Sequence, residues 1–419
     1  MRTLSFRCSV FALAALTLPA AEKPLNPQDL LPILLANNPE IQAARSRFEA
    51  ATARPSQMGS LPDPKVSYTN FGVGHPYSRL NGSDFAYQGV GFSQELPFPG
   101  KLALASEEAK RESEAVQQAY RSLVLDTTAR LKLAWLEWAG TRKALALTRE
   151  QSDLLSRFEE IARNRYTSGK GPQQDVLRAQ LDISALEQQV AMLDEKQQRA
   201  EAEIASLLAL PAVTLADPAD IQPSSFTLPL ADVLRLTTDS PRLRADQKMI
   251  DARAVGINRS LKDFRPDFGV SLQWQHTGGN YPDYYMATVE VKIPVYSARK
   301  QRYALEESQS RLREAKQNFQ ATQQQAAFQV KDQYLAIQSS ERILNLYRTT
   351  LLPQAQLTVD SATAAYPTGG VDFLTLTTNL NNLNSMQRQY ADEVLRHEEA
   401  LVRLEAVTGR DLVVFGGVK

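Results

Sequence analysis

The two halves of the chain carry the same marks in the same order. Asn37-Asn38-Pro39 is answered by Asp239-Ser240-Pro241, and Pro64-Lys65 by Pro266-Asp267, so Pro39 to Pro241 and Pro64 to Pro266 both span 202 residues. Glu95-Leu96-Pro97-Phe98 returns 197 residues later as Lys292-Ile293-Pro294-Val295. The second copy is therefore five residues shorter between these marks, most simply in a hairpin loop. Tyr166-Thr167-Ser168-Gly169 and Tyr366-Pro367-Thr368-Gly369 stand 200 apart, as do Ala209 and Gly409. A duplication of this length is a repeated structural unit. It divides the chain into residues 22–210 and 230–419, joined by a Pro-, Ser- and Asp-rich linker, 211–229.

Each copy reads helix, two strands, long helix, turn, long helix. Phe268, Val270, Leu272 and Trp274 alternate with Gly269, Ser271, Gln273 and Gln275, and period two means strand. The expected strands are about 65–74, 85–96, 267–276 and 284–295, with loops at 74–84 and 277–282. Beyond the first turn, Val176, Ala179, Ile183, Leu186, Val190 and Leu193 recur at spacings of three and four, a sustained heptad stripe. Its counterpart, from Leu376 through Leu383, Tyr390 and His397 to Leu404, is loaded with more polar residues. The preceding helices, expected over about 101–165 and 298–365, are on the order of 100 Å long at about 1.5 Å per residue, longer than a single globular domain.

The 47 basic and 47 acidic residues cancel, which argues against a nucleic-acid partner. No apolar run approaches the roughly 20 residues of a membrane-spanning helix, whereas barrel strands alternate and escape that test. Residues 1–21 have a basic start, an apolar core and small residues at their end, and read as a secretory signal peptide. The only cysteine, Cys8, would leave with it, so no disulfide, thiolate nucleophile or cysteine metal ligand is expected. No cofactor-binding motif, nucleophile elbow or carboxylate pair points to an enzyme. His75, His276 and His397 lack the neighbours of a metal site.

Four amphipathic strands cannot close a barrel, and an open sheet in lipid would leave backbone groups unpaired. Three chains supply about 12 strands, within the range of outer-membrane barrels. The expected fold is therefore mainly α with a small β part, a trimeric 12-stranded β-barrel with four strands per chain, continued by a long α-helical barrel. Tyr87, Trp274, Tyr284 and Tyr285 are read as an aromatic girdle at the membrane interface, against the alternative of plain β-propensity. A soluble periplasmic coiled-coil adaptor or structural protein is the competing reading.

The duplicated plan, Asn38-Pro39-Glu40-Ile41, Glu95-Leu96-Pro97-Phe98-Pro99-Gly100-Lys101, and the turn Arg165–Gly169 with Asp175–Gln180 resemble the TolC-like outer-membrane efflux protein family. The proline-rich version of the second motif is most similar to members that serve heavy-metal pumps of the resistance-nodulation-division class. The resemblance implies a homotrimer in bacterial outer-membrane lipid with a large periplasmic part. It also implies docking at the tip, through Tyr166, Gly169, Tyr366 and Gly369, onto a periplasmic membrane-fusion adaptor and an inner-membrane resistance-nodulation-division pump. The implied function is a passive exit duct to the outside for heavy-metal cations or small toxic compounds, with type I protein secretion as the alternative duty. Asp175, Asp372, Thr375 and Thr378 would line the periplasmic mouth. At the last two of these positions family members often carry acids, and this chain carries threonine.

Overall fold

A computed structural model describes residues 25–72, 86–218, 220–277 and 281–412. The expected signal segment, His75, and the centres of both hairpin loops lie outside the described residues. Two short helices open the first copy, α1 (Pro27–Asn37) and α2 (Pro39–Gly59). Asn38 between them is buried. Its Oδ1 accepts from the Ile41 amide at 3.1 Å, and its Nδ2 donates to the Leu207 carbonyl at 2.8 Å. Proline at the first helical position completes this start, so Asn38-Pro39 is a capping device that also ties the helix to the rest of the copy.

Strands β1 (Lys65–Phe71) and β2 (Tyr87–Leu96) follow, then α3 (Lys101–Thr167) and α4 (Gln173–Leu208). After the linker come α5 (Leu230–Thr237), α6 (Pro241–Lys262), β3 (Asp267–His276), β4 (Tyr284–Lys292) and α7 (Gln301–Leu346). One π turn, Tyr347–Leu351, leads into α8 (Leu352–Ala365), and α9 (Phe373–Thr408) closes the described chain. Helices α4 and α9 are both 36 residues long and start 200 positions apart. The second long helix differs from the first. It starts at Gln301 rather than 298, and α3 has no break where the π turn interrupts its counterpart. The cause is Pro353, which has no N–H and crowds the carbonyl four residues back; the Leu352 amide instead bonds to the Tyr347 carbonyl, five residues back.

The four strands form one antiparallel sheet in the order β1-β2-β3-β4. The copies meet at its centre, where β2 pairs with β3 from Gln88↔His276 to Leu96↔Phe268. Strand β4 stops at Lys292, short of the expected 295, because Pro294 cannot donate to a ladder. Three buried clusters hold the helices. One joins α1 to α4 through Leu30, Leu131, Trp135 and Ile204; one joins α3, α4, α8 and α9 through Phe158, Ala179, Tyr366 and Leu376; the third joins α5, α7 and α9 through Val233, Ile337 and Leu401.

Candidate functional site

The sheet has two chemically different faces, set by the period-two alternation and by register. Tyr68, Val90, Trp274 and Tyr285 form one row across all four strands, and Val66, Phe92, Leu272 and Ala287 form the next. Phe268, Val270, Val289 and Val291 continue this apolar face, whose large side chains are exposed. The opposite face carries Ser67, Thr69, Gly89, Gly91, Ser93, Ser271, Gln273, Gln275, Thr288 and Glu290. Two of the four expected girdle residues fall on this polar face. Tyr87 pairs with Phe71 and Tyr284 with Gln275, each one position out of step with the apolar row. Of the four, only Trp274 and Tyr285 share the apolar face.

The segment from Leu96 to Lys101 links the sheet to α3 and has a local explanation. The Phe98 amide donates to Asp267 Oδ1 at 2.8 Å, and Lys101 Nζ donates to Asp267 Oδ1 and Oδ2 at 2.8 and 3.0 Å. Lys101 also reaches Asp263 at 3.4 Å. Lys262 donates to the Pro99 carbonyl at 3.2 Å and stands 5.3 Å from the centre of the Phe98 ring. The first copy's strand-to-helix corner is thus bolted to the start of β3 in the second copy, by charge-assisted hydrogen bonds and a cation over a ring.

At the far end of the long helices the two turns share the same pair of closing bonds. The Gly169 and Lys170 amides donate to the carbonyls of Tyr166 and Arg165 at 2.9 and 2.8 Å, and the Gly369 and Gly370 amides donate to those of Tyr366 and Ala365, both at 3.0 Å. Both turns are Schellman closures. They require the left-handed conformation that Gly169 (φ 70°) and Gly369 (φ 80°) adopt.

The side chains break the symmetry. Tyr166 is exposed (45%), whereas Tyr366, expected on the docking surface with it, is buried at 2%. Its ring lies 5.6 Å from that of Phe373 and 4.8 Å from the Arg165 guanidinium. Arg165 donates to the Tyr366 carbonyl and, at 3.3 Å, to that of Lys170. One arginine therefore spans both turns. The Tyr366 hydroxyl reaches Asp175 Oδ2 at 3.5 Å. Burial, and then the Asp175 charge, push that hydroxyl up to about 12. Burial raises Asp175 above its ordinary value, against the hydrogen bond from Tyr366 and the charge of Arg165. Asp372 is exposed and caps α9, accepting from the Thr375 amide at 2.7 Å; bonds from Thr375 hold it below its ordinary value. Thr375 and Thr378 are exposed on the first turns of α9. The structure thus brings Asp175 and Tyr366 together with Arg165, a residue the sequence reading did not single out.

Further polar groups are buried between the helices. Lys132 on α3 meets Glu405 on α9 at 2.6 Å, both nearly out of solvent. His397 is fully buried, its Nδ1 3.0 Å from Glu398 Oε1, and Glu398 accepts from the Ser224 amide at 2.7 Å and from its hydroxyl at 2.9 Å. Glu398 therefore fastens the linker to α9, with His397 packed beside it.

A family model described as "Outer membrane efflux protein" matches residues 30–210 and 235–410. Among solved structures, the chain is similar to the outer membrane protein VceC of Vibrio cholerae, with 18% identity, 92% of this chain and 96% of that one covered, and a TM-score of 0.77. It is similar to the Neisseria gonorrhoeae MtrE outer membrane channel in its open state, at 17% identity, 92% and 89% coverage and a TM-score of 0.78. CusC, described in terms of transmembrane channel formation, gives 15%, 91% and 92%, and 0.75. No curated protein matches the chain.

Proposed function

Because the chain belongs to the outer membrane efflux protein family, and so is the outer-membrane channel component of a tripartite efflux system with a large periplasmic part, we propose that three copies close into one passive duct. The observation that carries this is the sheet: four strands, two unpaired edges at β1 and β4, and an exposed apolar face. A lipid-facing sheet must close on itself, and 12 strands from three copies form a closed barrel of ordinary size. The helical layer supports the same closure. Leu177, Leu181 and Met192 are exposed along one face of α4, and Phe328 and Leu335 along α7, unpartnered apolar faces at helical spacing of the kind that a neighbouring copy covers. This apolar surface also favours the duct over a soluble coiled-coil protein.

At the tip, the turns around Gly169 and Gly369 dock a periplasmic adaptor that joins the duct to an inner-membrane pump of the resistance-nodulation-division class. Tyr166 offers its ring to that partner, and Tyr366 props the turns from within. Asp372, exposed and held ionised, forms with its two symmetry mates an acidic ring at the mouth, and such a ring favours cations. This suits the cargo that the resemblance implies, heavy-metal cations or small toxic compounds, passed along rather than bound. Two measurements test the proposal. The detergent-corrected mass of protein extracted from outer membranes should equal three chains, and a single chain would end the duct reading. In planar bilayers Asp372→Asn should lower the cation preference of the open channel, and unchanged selectivity would remove the ring.

A further inference from the structure

The internal duplication makes the bolted corner within one chain a template for a corner that one chain cannot complete. In the first copy, Leu96, Pro97 and Phe98 are half-buried because the start of β3 and the end of α6 cover them. Their counterparts, 197 residues on, are Ile293, Pro294 and Val295, and here Ile293, Val295 and the adjoining Tyr296 are 65%, 73% and 75% exposed. The other half of the joint shows the same vacancy. Pro266 and Asp267 are half-buried beneath the first corner, while their counterparts, Pro64 and Lys65, are exposed, as are Ser60 to Asp63.

These two exposed halves flank the two free edges of the sheet. Strand β4 leads into Ile293–Tyr296, and β1 is entered through Ser60–Pro64. Within the chain α3 packs against both α2 and α6, and α7 packs against α6. The α3–α6 relation thus has its missing counterpart between α7 and the α2 of another copy. The charges agree with this pairing in a shifted form. In the closed joint a cation at the start of the long helix, Lys101, meets a carboxylate at the start of a strand, Asp267. In the open joint the helix begins three residues late, at Gln301, with Arg299 and Lys300 at its start. The carboxylate is displaced too: position 65 is lysine, and the acid is Asp63, two residues earlier on the same side of an extended chain.

We infer that the corner Ile293–Lys300 docks onto Ser60–Lys65 of a second copy of this chain, with Val295 and Tyr296 covered and Asp63 facing Arg299 and Lys300. This repeats, between copies, the bolt formed inside each one by Phe98, Lys101 and Asp267. The inference rests on the ring reading above and specifies the contact that joins its barrel to its helices.

Paired cysteines test it, in a Cys8→Ser background so that no other thiol is present. Lys65→Cys with Val295→Cys, the counterparts of Asp267 and Phe98, should yield under mild oxidation a ladder of two- and three-chain bands, and neither single variant should. Phe98→Cys with Asp267→Cys, joined inside one chain, shows that the chemistry works. Mass in detergent is measured on the same samples. Three-chain particles without cross-links would overturn the joint and leave the ring standing; single chains before oxidation would overturn both. Charge exchange gives a second reading. Asp63→Lys should lower the temperature at which the particle dissociates, and adding Arg299→Glu with Lys300→Glu should restore it; no restoration would remove the charge pairing.

Discussion

Arg165 has no counterpart in the second half of the chain, where the equivalent position is Ala365. It shares the Tyr366 carbonyl with the Gly369 amide and covers that ring, so Arg165→Ala strips the charged donor from that carbonyl and leaves a buried ring without its lid. Hydrogen bonds from a charged donor are worth about 1.5–3 kcal/mol. The tip amides of Arg165→Ala should therefore exchange with deuterium roughly tenfold faster or more, those of mid-α3 unchanged. The two aspartates give the tip a two-stage response to acid. The folded value of Asp175 is raised, so its contribution is present at low pH and lost as pH rises through that value. The folded value of Asp372 is lowered, so its contribution is present above the ordinary 3.8 and lost as pH falls toward the folded value. Tip exchange should accordingly slow on mild acidification and speed up below about 3.8, with Asp175→Asn abolishing the first phase and Asp372→Asn the second. Little of this was legible. Tyr-x-x-Gly occurs in both turns and suggested equal roles; only the Arg165/Ala365 difference separates them, and its meaning depends on a contact across 201 positions.

At the scale of elements, alternation and heptads carried most of the reading. The stripe from Val176 to Leu193 is buried or half-buried throughout, because a spacing of three and four can face only one way on a helix. The girdle went astray for the complementary reason: grouping aromatics by neighbourhood ignored the period of two, which sends Tyr284 and Tyr285 to opposite faces. That period makes a sharp prediction. Val289→Arg on the apolar face should cost about 2–4 kcal/mol if it lies near the bilayer midplane, whereas Thr288→Arg beside it should cost far less; heat stability of the particle in detergent-free vesicles separates them. The turns make another. A Cβ at Gly169 meets nothing within 4 Å, and at Gly369 only the Arg165 guanidinium at 3.6 Å, so alanine at either should cost just the left-handed backbone term, about 1–2 kcal/mol. Unequal losses by denaturant titration would mean that one turn is held by more than its backbone. The π turn was not legible as such: Pro353 marks a disturbance, but proline alone does not choose between a kink and a widened turn.

The whole molecule is a repeat that stops short of satisfying itself. Its own cores are complete in one chain, and Leu181 and Phe328 belong to none of them. A charge at either, as in Leu181→Asp or Phe328→Asp, should leave the chain folded yet reduce the particle from three chains to fewer, because burying an unpaired carboxylate in an interface costs several kcal/mol. Circular dichroism and mass in detergent read the two effects separately. The duplication also leaves a signature at the tip. In the proposed ring of three, six turns would alternate between a turn that supplies the arginine brace and a turn that receives it. A protein that grips the backbone shape common to both finds six equal seats, whereas one that reads the exposed Tyr166 ring finds three. On the proposed docking, the stoichiometry of a periplasmic collar would be set by which of these two surfaces it reads.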